Sequence, residues 1–372
     1  VLAREEMAAR ARAVESRLSD ALHARLTERF VNRRTSILMK KLGPDAALLP
    51  VSVSGDEVLV DGEHIGHLAG FRFRVDPQAR LADRKLLLAA AERHLPALLA
   101  ERAALLASAL EAGEAGVTLE AARITWHGEA VAALSAGKSV LAPQIVPDTA
   151  LDGLGGAARQ RLLAALQAWL ARALAPLAPL RKLEAASSDP AAGPELRALL
   201  IRLTESGGIL ERSGSALDRL DKAQRERLRQ LGVRVGALDL FVPAMLRSAP
   251  LAAWRSLLAA RGEAMAASPP GMPPVVNLAG RETAPSGYRA LGRQALRIDL
   301  AEKLLRMAHG ARVNAGNKSF VLDPALAIST GLTTASYARL LRLAGFQPGL
   351  PRPMAPGAFG PPAPPRWRWR PP

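Results

Sequence analysis

Glu57–Val75 reads EVLVDGEHIGHLAGFRFRV, and Ala122–Val146 reads ARITWHGEAVAALSAGKSVLAPQIV. In the first stretch, apolar and polar residues alternate on both sides of Asp61-Gly62, a dipeptide suited to the positive φ of a two-residue hairpin turn. Placing Gly62 on Gly128 puts Gly-Glu in both copies and aligns Ile65 with Val131 and Leu68 with Leu134, at an offset of 66 residues. Pro77 and Pro147 close the two stretches at nearly the same place. Helical patterning comes after each, at 81–107 and 156–175. The spacing predicts an internal duplication: two β-hairpin/helix units, at 46–110 and 111–186.

The second copy contains Gly137-Lys138-Ser139, the end of a phosphate-binding loop. That loop needs another glycine five positions before the Gly-Lys pair, where Ala132 stands. It must also open a helix whose first N–H groups hold the anion. Ser139 instead leads into VLAPQIVP, a strand-like run. The triplet therefore reads as a bend between strands, where the first copy has LAGFRF. DEVL at Asp56–Leu59 lacks the histidine of a DExH box, and GLGGAA at 153–158 is followed by no acidic residue before Glu184, so a ribose-binding acid is missing. His64 and His67 are three apart in a strand and point to opposite faces, which argues against a shared metal. There is no G-x-S-x-G and no H-E-x-x-H. No catalytic residues and no metal site are expected.

The 372 residues suffice for two or three domains. Alanine, arginine and leucine dominate, a mixture that favours helices. With no cysteine, disulfides and thiolate zinc sites are excluded. No apolar run approaches the roughly 18 residues of a membrane span, and no signal-peptide pattern opens the chain, so a cytoplasmic protein without a membrane partner is expected. The first residue is Val1, as a fragment or an alternative start codon would give. The net charge of +16 is unevenly spread: residues 276–372 carry fourteen Lys or Arg against four Asp or Glu, net +10. A localised basic region is the footprint of a polyanion partner.

Residues 1–45 read as an N-terminal helix, in which Arg33-Arg34 either contact phosphate or form a solvated face. SSDPAAGP at 187–194 breaks the chain before a helical domain, 187–267. There LDKAQRERLRQLG is a helix capped by Asp218 or Asp221 and stopped by Gly232, and VRVGALDLFVP is a strand. SPPGMPP at 268–274 is a second linker. A basic helical module, 276–346, contains a helix-turn-helix outline: Asp323-Pro324 opens a short helix, Gly331 ends it, and Thr333 or Thr334 caps a second helix that stops at Gly345. Residues 347–372 are rich in Pro and Gly and end in PPRWRWRPP, a composition expected of a disordered tail. Its Trp367 and Trp369, interleaved with arginines, suit base stacking. The fold class is α+β, mainly α-helical.

RLTERFVNRRTSILMKKL, VLVDGEHIGHLAGFRFRVD, ITWHGEAVAAL, LRQLGVRVGALDLFVPAML, PSGYRALGRQALRIDLAEKL and TTASYARLLRLAGF occur in that order over roughly residues 20–346. The ordered set resembles the C-terminal accessory region of α-proteobacterial helicase-related proteins, superfamily 2 helicases akin to the mitochondrial RNA-degradation helicase. The resemblance implies an accessory nucleic-acid-binding region of an ATP-dependent helicase, with motor domains supplied in cis or in trans. ATP and magnesium would then belong to an upstream motor, and this chain would take no cofactor. The expected partner is single-stranded RNA or DNA, held through its phosphates by Arg33, Arg34, Arg289, Arg293, Arg297, Arg306, Arg339 and Arg342, with Trp367 and Trp369 from the tail. The rival reading is a protein-interaction scaffold that docks an acidic partner such as a nuclease.

Overall fold

The computed structural model describes residues 51–60, 63–75, 94–280, 283–316, 318–349 and 364–370, with five isolated positions between 15 and 22. The N-terminal helix with Arg33 and Arg34, and the Asp61-Gly62 turn, lie outside these residues. The fold is mixed α+β, with several small antiparallel sheets. Described residues of Val1–Ala109 and Asp148–Leu162 form one compact unit, and those of Leu110–Pro147 and Leu163–Pro372 form another.

In the first unit, β1 (Val51–Ser54), β2 (Glu57–Val60), β3 (Glu63–Ala69) and β4 (Arg72–Val75) make an antiparallel sheet in sequence order. The register slips between Val58 and Leu59, a β-bulge opposite Gly66. Val58, Leu68 and Phe71 are buried, as are Leu99, Ala103 and Leu106 of helix α1 (Leu95–Ala112).

The second unit opens with β5 (Val117–Glu120), β6 (Arg123–Trp126), β7 (Glu129–Ser135) and β8 (Gln144–Pro147), again an antiparallel sheet in sequence order. The first three strands lie 66 residues after β1, β2 and β3, and the register slips at the equivalent place, between Ile124 and Thr125. Equivalent backbone bonds recur too: Leu68 N–H to Asp56 O and Leu134 N–H to Ala122 O, both 2.7 Å. Among the described residues, the last connection differs. β3 and β4 are joined by Gly70 and Phe71, whereas Ala136–Pro143 joins β7 to β8 and contains Gly137-Lys138-Ser139. The triplet is thus a loop between strands, and no helix comes directly after it.

Helices α2 (Gly156–Ala173), α3 (Ala178–Ser187) and α4 (Pro194–Glu205) come next, with α3 packed on α4. The expected helical domain also holds a three-stranded sheet. Its strand β9 (Ile209–Glu211) precedes helix α5 (Lys222–Gln230), which is capped by a reciprocal Asp221–Gln224 box and followed by Gly232 at φ +87°. Strands β10 (Arg234–Val235) and β11 (Asp239–Phe241) complete it in the order β10-β11-β9, before helix α6 (Ser248–Ala259). The stretch 268–274 is no free linker. Met272 is buried, its carbonyl accepts from Arg297 at 2.9 Å, and Tyr288 Oη donates to the Pro273 carbonyl at 2.6 Å.

The basic module is not purely helical. It begins with β12 (Val275–Asn277), β13 (Tyr288–Ala290) and β14 (Gln294–Arg297), in the order β12-β14-β13. These strands are short and rich in Ala, Leu and Arg, so helix propensity masks them, and cross-strand pairing overrides it. The remaining elements are helix α7 (Ile298–Asn314), β15 (Phe320–Val321), α8 (Ala325–Ser329), α9 (Thr334–Leu343) and β16 (Phe346–Pro348). The helix-turn-helix outline is present at α8 and α9: Gly331 takes φ +86°, Thr333 caps α9 and Gly345 takes φ +84°. The tail corrects its prediction. β17 (Arg366–Trp369) is the central strand of the sheet β15-β17-β16. Trp367 is buried with Phe320, Leu340 and Phe346, which offsets the entropy of ordering this strand.

Buried charges tie the sheet of β11 to α7. Glu302 of α7 is 3% exposed, and its carboxylate accepts from the backbone N–H of Ala237, Leu238 and Asp239, the last two at 2.8 Å. Gly236 must be glycine, because a Cβ there would overlap the Glu302 carboxyl. Burial pushes the Glu302 carboxyl above the usual carboxylate range, against the three N–H donors that favour its charge. Asp239 in turn accepts from Arg289 Nε at 3.0 Å and from Nη2.

Replacing Glu302 with Gln turns an amide N–H₂ toward these backbone donors. Glu302→Gln is expected to cost about 1–3 kcal/mol, read as a lower midpoint in urea unfolding. His309 of α7 stacks against Phe346, with ring centroids 4.8 Å apart, and meets the edge of Trp369 at 5.7 Å. Burial, then the charges of Arg312 and Arg212, lower its pKa below 6.5. Its contribution to stability is therefore present above the unfolded value near 6.5 and lost as pH falls below it. The Tm should drop as pH falls below about 6.5, and His309→Phe should flatten that part of the profile.

Candidate nucleic-acid interface

The turn Gly292-Arg293 joins β13 to β14. Leu291 N–H donates to the Gln294 carbonyl at 2.7 Å to close it, and Gly292 takes φ +88°. This places Arg293 at the exposed tip of the hairpin. Arg339 and Arg342 stand three apart on α9, so they share a helix face, while the adjacent Leu340 and Leu341 are fully buried. A Cβ built on Gly292 would lie 3.6 Å from Arg339 Nη1, so this guanidinium lies beside the turn. Arg293, Arg339 and Arg342 line one cavity of about 750 Å³.

The cavity also takes in the start of α9. Thr333 Oγ1 accepts from the Ser336 N–H at 3.2 Å, and Thr333, Ala335 and Ser336 are part of the lining. The first turn of a helix presents unpaired N–H groups and a partial positive charge, which attracts anions. Gln294, 6% exposed, fixes this geometry. Its Oε1 accepts from Thr333 N–H at 2.8 Å and Thr333 Oγ1 at 3.0 Å, and its Nε2 donates to the Gly331 carbonyl at 3.1 Å and to Asn277 Oδ1 at 3.2 Å. The helix turn is thereby held to the β14 strand. No Asp or Glu lines the cavity, and none of its three arginines is ion-paired with a described residue.

No protein-family model, curated protein or solved structure matches the chain. The functional reading therefore rests on the residues themselves.

The structure separates the predicted arginines. Arg289 is an internal group, 16% exposed in its side chain. Burial opposes its charge, but its hydrogen bonds to Asp239 and the charges of Asp239, Glu211 and Glu302 outweigh that and raise its pKa. Arg297 grips Asp299 through both Nε, at 2.7 Å, and Nη2, at 3.0 Å. Neither is free to hold a phosphate. Arg306 is exposed on α7 and lines a different cleft. Trp367 is buried, and the Trp369 indole donates to the Ala344 carbonyl at 2.9 Å beneath the Arg312 guanidinium, 4.1 Å from the ring centroid. Both rings are committed to the core, which corrects their assignment to base stacking.

Lys138 and Ser139 line a third cavity, of about 620 Å³, together with Glu184, Glu205 and Glu263. Carboxylates around a phosphate site would repel the ligand, so this loop does not resemble a nucleotide cradle. Among the described residues, no group of three or more His, Asp or Glu is placed to hold a metal ion.

Sequence reasoning missed Gln294 and Asn277. The available signal was a polar residue directly after a Gly-Arg turn, flanked by apolar positions. Gln294→Leu keeps much of the volume but leaves the Thr333 N–H and the Gly331 carbonyl without partners. It is expected to destabilise the protein by about 1–3 kcal/mol in chemical denaturation.

Proposed function

We propose that this chain is an accessory region that holds single-stranded RNA or DNA through its phosphates and serves a helicase motor supplied in cis or in trans. The observation that carries the binding reading is the convergence of Arg293, Arg339 and Arg342, without acidic partners, on one cavity at the start of α9. Guanidinium groups and helix N-terminal N–H groups are the usual donors to phosphate oxygens. No aromatic side chain lines this cavity, so the contact reads the backbone and carries no base specificity. The motor rests on the ordered sequence motifs alone. The two four-stranded sheets, with their common register slip, are read as copies of one duplicated unit, and the second copy has a longer last connection.

The test is fluorescence anisotropy of labelled oligo(U) and oligo(dT) with the full chain at several salt concentrations. Affinity should fall steeply with salt. The triple change Arg293→Ala, Arg339→Ala and Arg342→Ala should reduce the slope of log affinity against log salt by about 2, from about 0.7 per lost contact. An unchanged slope, or binding nearly independent of salt, rejects this reading and favours docking of a protein.

A further inference from the structure

A second basic cleft, of about 870 Å³, lies elsewhere in the same unit. Four cations converge on it from four places in the chain: Lys182 of α3, Arg229 of α5, Arg234 of β10 and Arg306 of α7. All four are exposed. Arg229 is paired with Glu226 at 2.6 Å, on a mostly exposed pair that contributes little. Lys182, Arg234 and Arg306 have no ion-pair partner among the described residues, and no Asp or Glu lines the cleft.

Its other features differ from those of the arginine cavity. The lining includes Leu231 and Val235, with Val233 and Val242 almost fully buried behind them. Val235 is 41% exposed. It belongs to β10, an edge strand of the sheet β10-β11-β9, paired on one side only, to β11. An open edge offers backbone N–H and C=O groups to an extended chain, and side-chain pockets beside it give such a chain its specificity. A nucleic-acid strand would use the cations but neither the edge nor the aliphatic wall. A peptide that alternates acidic and aliphatic residues would use all three, because alternate side chains of a strand face opposite sides.

We propose that this cleft docks an extended acidic peptide segment of a partner protein, added along β10 with its carboxylates on Lys182, Arg234 and Arg306 and its aliphatic side chains against Leu231 and Val235. The site is separate from the arginine cavity, and the proposal does not rest on nucleic-acid binding there.

The experiment uses the full chain and three labelled probes: the peptide (Glu-Val)₄, its polar counterpart (Glu-Ser)₄, and oligo(U). Wild-type protein should bind (Glu-Val)₄ more tightly than (Glu-Ser)₄. The charge reversal Lys182→Glu with Arg306→Glu should weaken (Glu-Val)₄ binding at least about tenfold, since two ion pairs become two repulsions. Val235→Asp, an exposed substitution that places a like charge at the edge, should do the same. A circular-dichroism melt matching wild type shows that each variant is folded. Oligo(U) binding should be unchanged in these variants, and (Glu-Val)₄ binding should survive the triple arginine change in the other cavity. The proposal falls if the folded variants bind (Glu-Val)₄ like wild type, or if the peptide does not bind at all. It also falls if oligo(U), rather than the peptide, loses affinity on charge reversal, which would make the cleft a second nucleic-acid contact.

Discussion

The buried contact between Glu302, the 237–239 backbone, Asp239 and Arg289 holds the basic module in place. It joins β11 and the turn before it to β13 and α7, across 50 residues to Arg289 and 63 from Asp239 to Glu302. Each charge is expensive to bury and tolerable only because the others complete it. Three N–H donors meet one carboxylate, and a two-pronged guanidinium meets the other. Sliding α7 by one turn would leave the Glu302 carboxylate and three backbone N–H groups unpaired in a buried environment, at a cost of several kcal/mol. This fixes β13 and β14, and thereby the hairpin tip that carries Arg293. Gln294 then passes the constraint on to the start of α9 through three hydrogen bonds.

This network also explains why counting charges overstates what the surface offers to a polyanion. The last quarter of the chain has a large excess of cations, yet Arg289 and Arg297 neutralise internal carboxylates and Arg312 covers an indole ring. Cations line a cavity without acidic neighbours in two places among the described residues. One lies at a helix start. The other lies at an open strand edge with an aliphatic wall.

Where backbone chemistry dictates conformation, the sequence was readable. Apolar alternation around Gly62 and Gly128 marked both hairpin regions, and Gly331, Thr333 and Gly345 marked the limits of α8 and α9. The short strands β12 to β16 were not readable, because only pairing with partners elsewhere in the chain selects their extended form. The same reason hid the difference between Arg289 and Arg293. They are four residues apart in one hairpin, and what separates them is an aspartate 50 residues upstream of Arg289. At the C-terminal end, composition argued for disorder, but the two-residue period of Arg366-Trp367-Arg368-Trp369 already placed both indoles on one side of a strand.

The central position of β17 carries a consequence for biosynthesis. β15 and β16 emerge from the ribosome before β17, yet among the described strands neither pairs with the other; each bonds to β17. Until β17 emerges, Phe320 and Phe346 lack the tryptophan that covers them, and two strand edges stay open. The helices and the earlier sheets can form during translation, whereas this corner must wait for its final strand. A chaperone acting on the nascent chain would find its apolar target here.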